Sequence, residues 1–110
     1  MKILNDKYLL INEMSNFNSN ITWLDKTIIW IGKRPPNHGH RIKISNVDNK
    51  MTNDMFSLLI PSYKTKGDVK IPTQRLNEII IFVKLNENII KKYCDMIITY
   101  DEFIKKIKLL

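Results

Sequence analysis

The sequence predicts an α+β protein: a small, mainly antiparallel sheet followed by two C-terminal helices packed on one face. Three observations carry this expectation. Short β-branched and aromatic runs, punctuated by proline and glycine, fill the chain up to Pro72. Beyond Pro72 the apolar spacing changes to that of a helix. The length of 110 residues with 44% hydrophobic content suits one α+β domain over residues 1–110, able to bury a core without disulfide or metal staples.

Residues 3–14 carry Ile3, Leu4, Leu9, Leu10, Ile11 and Met14 at spacings that fit a short helix or a strand, and residues 16–20 read as a polar connector. Thr27–Ile31 is β-branched and aromatic with apolar residues on both faces, which predicts a central strand covered on both sides. Trp23 and Trp30 are expected in the core. Arg41–Ser45 alternates, with Ile42 and Ile44 pointing one way and Arg41, Lys43 and Ser45 the other, as in a half-buried strand with a basic outer face. The connection between these two segments is short, so strands near 27–32 and 40–46 should form an antiparallel hairpin. Met55–Ile60 is a third strand, stopped by Pro61, and Asp68–Ile71 a fourth.

Leu76, Ile79, Ile80, Val83, Ile90, Tyr93 and Ile97 then recur along one helix face, predicting a helix near 73–93 that starts at Pro72. Asn86 interrupts that stripe, which predicts a kink or break near Asn86–Asn88. Thr99 and Glu102 form a Thr-x-x-Glu capping box that opens a second helix near 99–110. Its apolar face is Phe103, Ile104, Ile107 and Leu110, and Lys105, Lys106 and Lys108 suit its C-terminus.

The net charge of +7 is concentrated in the middle of the chain: residues 1–25 sum to −1, residues 26–75 to +7 and residues 76–110 to +1. A field of that sign favours a polyanionic partner, against the plainer reading of solubility charge. Cys94 is the sole cysteine, so an intramolecular disulfide is excluded; its apolar helical surroundings predict a small core residue rather than a reactive thiol. The N-terminus lacks the pattern of a secretory signal, and no run reaches the roughly 20 apolar residues of a membrane span. A cytoplasmic protein with no membrane partner is therefore expected.

One segment concentrates the residues able to carry chemistry: Gly32-Lys-Arg-Pro-Pro-Asn-His-Gly-His-Arg41 holds both histidines, a Pro-Pro pair, two glycines and several cations. Four roles compete for it. Lys33, Arg34, His38, Arg41 and Lys43 around one turn and its outgoing strand could bind phosphate, for which the arginine fork is suited. His38 and His40 could ligate a metal, but two ligands do not make a zinc site and no neighbouring Cys or paired carboxylate supplies the rest, so no metal or other cofactor is expected. The same two histidines could act as base and acid in RNA cleavage, with nearby cations stabilising the developing charge. No carboxylate in the sequence neighbourhood orients either ring, which weighs against that role. Lastly, His40 shares parity with Ile42 and Ile44 and could be a hydrogen-bonded residue at the core edge, with Gly39 allowing a backbone conformation that other residues resist.

Pro35, Pro36, His38 and His40, followed by a strand and a helical end, give a sequence that resembles a family of small uncharacterised bacterial proteins. Their signature is an Asn-Pro-Pro-His-x-His turn between two strands; here Asn37 stands between the prolines and His38. The helical segments beginning Leu76-Asn-Glu-Ile-Ile, Asn86-Glu-Asn-Ile-Ile and Tyr100-Asp-Glu-Phe-Ile are similar in layout. The resemblance covers residues 27–110 and implies a toxin–antitoxin-type genetic setting. The abundance of Ile, Asn and Lys suits an AT-rich coding source such as a bacterium or its phage.

The function expected is that of a non-catalytic interaction protein of a bacterial or phage conflict system, engaging nucleic acid or a nucleoprotein complex through a basic hairpin. Two alternatives stand beside it. One is an anti-CRISPR-type inhibitor acting on a protein partner. The other is a small ribonuclease toxin using His38 and His40.

Overall fold

The structure is a computed structural model and describes residues 14–32 and 39–110. The predictions for residues 3–13, and those for Lys33, Arg34, Pro35, Pro36 and His38, lie outside the described residues.

Five strands form one antiparallel meander in sequence order. They are β1 (Met14–Phe17), β2 (Ile29–Gly32), β3 (His40–Ser45), β4 (Met55–Ile60) and the two-residue β5 (Thr65–Lys66). A short helix α1 (Ser19–Thr22) lies between β1 and β2, and α2 (Thr73–Leu85), α3 (Glu87–Cys94) and α4 (Tyr100–Lys106) follow the sheet. The α+β class and the antiparallel β2–β3 hairpin are as the patterning predicts.

The alternation in β3 and β4 fixes which face is apolar, because successive side chains of a strand point to opposite sides. Ile42 sits opposite Ile31 and Leu58, and Ile44 opposite Ile29 and Phe56. These residues and Phe17 and Ile60 are buried in one hydrophobic cluster with Ile79, Phe82 and Val83 of α2, Ile90, Tyr93 and Cys94 of α3 and Phe103 of α4. Phe17 ties β1 into that cluster: its ring lies among Tyr93, Tyr100 and Phe103, with centroids 5.0–6.5 Å apart within the group. Ser15, one pleat along on the same face, shares a 2.6 Å hydrogen bond with the Tyr93 hydroxyl.

The structure differs from the sequence expectation in several places. The 16–20 segment is not a connector: β1 runs through Phe17 and pairs with β2, and α1 starts at Ser19 behind the Asn18 side-chain cap. Trp23 is not a core residue. It ends α1 as a left-handed cap with φ 62° and is 69% exposed. Asp68–Ile71 is not a strand, because the Asn46 side chain takes its backbone groups: the Asn46 amide donates to the Asp68 carbonyl and its oxygen accepts from the Lys70 N–H. The ladder is continued instead by β5, opposite Ser57 and Leu58.

Three helices rather than two follow the sheet, because the predicted break falls at Asn86. That residue is 2% exposed, and its side chain donates to the Phe82 carbonyl and brackets the Lys108 backbone, donating to its carbonyl at 2.9 Å and accepting from its N–H at 2.7 Å. The last helix is shorter than its apolar pattern, since Ile107 leaves helical geometry where the chain meets this clamp. Its capping box is formed: the Thr99 hydroxyl accepts from the Glu102 N–H, and the Glu102 carboxylate accepts from the Thr99 N–H. Among the described residues, no helix is long and apolar enough to cross a membrane.

Candidate functional site

The two sides of β3 carry different chemistry. His40, Ile42 and Ile44 lie on the core side, and Arg41 and Lys43 on the outer side, as the pleat requires. Of the predicted phosphate-binding set, Arg41 and Lys43 therefore share the outer side, while Lys33, Arg34 and His38 lie outside the described residues; His40, offered as a metal or acid–base residue, is on the other side.

On the outer side, the register aligns Asn16, Trp30, Lys43, Ser57 and Lys66 in one row across all five strands. Arg41 lies one pleat along β3 from Lys43 and pairs with Leu59. Arg41 and Lys66 are exposed and Lys43 is half-buried. None of the five strands contains an aspartate or glutamate. Among the described residues no carboxylate pairs with Arg41, Lys43 or Lys66; the ion pairs go instead to Lys70 with Asp54, Arg75 with Asp48 and Lys91 with Glu87. Trp30, second in the row, is only 9% exposed, so its ring is not presented as a surface.

On the core side, His40 begins β3 at the edge of the cluster. Gly39 precedes it with φ 88°, a conformation that disfavours any side chain there. The His40 side chain is 16% exposed and its Nε2 lies 3.0 Å from Asp95 Oδ1 at the end of α3. With Asp95 ionised, Nε2 carries the proton and donates it to this bond, which leaves Nδ1 as an acceptor. Asp95 lies 55 residues along the chain, so the orienting carboxylate missing from the sequence neighbourhood is supplied by tertiary contact.

A second polar pair joins Tyr63, in the turn between β4 and β5, to Glu87 of α3. The Tyr63 hydroxyl donates to Glu87 Oε1, Lys91 lies 3.5 Å from the same carboxylate, and the Lys84 ammonium sits 5.0 Å from the centroid of the Tyr63 ring. The Tyr63 bond holds Glu87 below the usual carboxylate range, with help from Lys91 and from His40. Burial, followed by the Glu87 carboxylate, pushes the Tyr63 phenol well up. Near neutral pH this pair stays as phenol and carboxylate and transfers no proton.

RNA cleavage needs a base and an acid, and the described residues supply an oriented imidazole for one of those roles. Among them, no group of three or more His, Cys, Asp or Glu is arranged to hold a metal ion. Cys94 is buried, and burial followed by the Asp95 charge raises its thiol to about 12.

Sequence reasoning missed Asp95, Glu87 and Lys66. Asp95 reaches His40, and Glu87 reaches Tyr63, only through the placement of α3, which has no local signature. Lys66 belongs to a strand of two residues, too short to show alternation. Compared with known proteins, the chain matches no family model, no curated protein and no solved structure.

Proposed function

We propose that this protein is a non-catalytic interaction module that engages nucleic acid, alone or within a nucleoprotein complex, through the outer face of its sheet. The observation that carries the reading is the pairing of Arg41, Lys43 and Lys66 on one side with the absence of any carboxylate from the five strands. Cations with no carboxylate partner among the described residues keep their attraction for phosphate, and each phosphate they neutralise releases counterions. Asn16 and Ser57 in the same row add uncharged donors for phosphate oxygens. A bacterial or phage conflict system is the proposed setting, resting on the Pro-Pro/His-x-His resemblance and on the composition.

The test is binding of mixed cellular DNA and RNA by the purified chain at rising salt, with Arg41→Ala/Lys43→Ala beside the wild type. Binding should weaken as salt rises, and the double variant should lose both affinity and salt slope. Equal affinity in the variant would reject the outer face as the contact surface.

A ribonuclease reading has one specific observation in its favour, the Asp95 carboxylate that orients His40. Incubation with mixed RNA separates the two. Chelator-resistant cleavage that is lost in both His38→Ala and His40→Ala would promote the ribonuclease over the binding module.

A further inference from the structure

We infer that the outer face takes duplex nucleic acid through its phosphate backbone, without reading bases and without preference for single strands. This rests on the reading of that face as a nucleic-acid surface and names which form of nucleic acid it takes. Two features of the row across the sheet lead there.

The first is that the described residues of the row offer no exposed aromatic ring as a stacking platform. Single-strand binders combine cations with exposed aromatic rings, because an unpaired base exposes a π-face that needs cover. Trp30 is the aromatic residue of this row, and at 9% exposure it cannot take a base. Its neighbours in the row are Asn16, Lys43, Ser57 and Lys66, and the adjoining pair is Arg41 and Leu59. A single strand would gain phosphate contacts here but leave its bases in water. A duplex already has its bases stacked and presents phosphate.

The second is the spacing of the cations. Arg41 and Lys43 are one pleat apart, about 7 Å along the strand, and Lys43 and Lys66 are two strands apart, about 10 Å across the sheet. Their attachment points thus span about the width of a groove, which runs from about 6 Å for the minor to 12 Å for the major groove of B-DNA. Cations so placed can meet phosphates on both rims of one groove. Between Lys43 and Lys66 lies Ser57, whose short side chain has nothing to insert among base edges.

The three cations among the described residues of this face set the salt response they would contribute. A slope of roughly −0.9 per phosphate gives about −2.7 in log K against log salt, or an affinity loss of about 40-fold between 50 and 200 mM.

The experiment is fluorescence anisotropy with 20-base-pair duplexes of two unrelated sequences, made as DNA and as RNA, and with each separated strand. The expected result is binding of at least one duplex form, within about threefold for the two sequences, at least tenfold tighter than the single strands and with the slope above. Arg41→Ala/Lys43→Ala/Lys66→Ala should lose that binding while keeping the circular dichroism of the wild type. Single strands bound as tightly as duplex, or more than tenfold discrimination between sequences, would overturn the inference and leave the nucleic-acid reading standing. No binding of any probe at 50 mM salt would overturn both.

Discussion

Replacing Asn86 by alanine should destabilise the protein by about 2 kcal/mol, through loss of the clamp on the chain after α4. The Asn86 side chain makes three hydrogen bonds, one to the Phe82 carbonyl and two to the Lys108 backbone. Each contributes about 0.5–1.5 kcal/mol net. The Phe82 carbonyl retains the bond from the Asn86 N–H, and the Lys108 backbone can turn to water, so no group is left wholly unpaired. The groups that turn to water offset part of the three bonds, leaving a net loss of about 2 kcal/mol, which for a chain of this size lowers Tm by about 9 °C. Thermal unfolding followed by circular dichroism measures it, with Asn88→Ala, at an exposed position of α3, as the control. Hydrogen exchange at the Lys108 amide gives an independent readout, since that N–H donates to Asn86 and should lose its protection. A loss under about 0.5 kcal/mol, or an equal loss in Asn88→Ala, would refute the clamp.

Other outcomes follow from the same geometry. Cys94 should resist thiol reagents at pH 8 in the folded protein and react at once in denaturant, because its thiol is buried and raised to about 12; rapid labelling of the native chain would contradict this. Stability should fall on acidification below about pH 4.5: Glu87, Asp54 and Glu102 hold protons more weakly folded than unfolded, so the unfolded chain binds more protons as pH drops through that range. Urea midpoints unchanged between pH 6 and pH 3 would show those bonds to be absent in solution. His40→Ala should cost about 0.5–1.5 kcal/mol through the lost hydrogen bond, since half-exposed Asp95 can turn to water, and should leave nucleic-acid binding within about threefold, since His40 lies on the opposite side of β3 from Arg41 and Lys43. A tenfold loss of binding with full stability would contradict that division.

Local patterning determined much of this fold by itself. Alternation in Arg41–Ser45 specified which residues face the core, because a pleat leaves only two choices and isoleucine takes the apolar one. Helical spacing after Pro72, the break at Asn86 and the Thr99–Glu102 capping box are likewise short-range chemistry, written within a few residues of where they act. Tertiary structure alone decided the remainder. Asp68–Ile71 has a strand's composition, yet Asn46 from another loop claims its backbone groups. Phe17 lies in a polar stretch, and only its packing against Tyr93, Tyr100 and Phe103 makes β1 part of the core. The candidate site divides in the same way. Arg41 and Lys43 share a face by parity alone, whereas Lys66 joins them through the β4–β5 register and Asp95 meets His40 through the placement of α3. Contacts between residues far apart in sequence depend on how whole elements pack, and no periodicity within one segment encodes that placement.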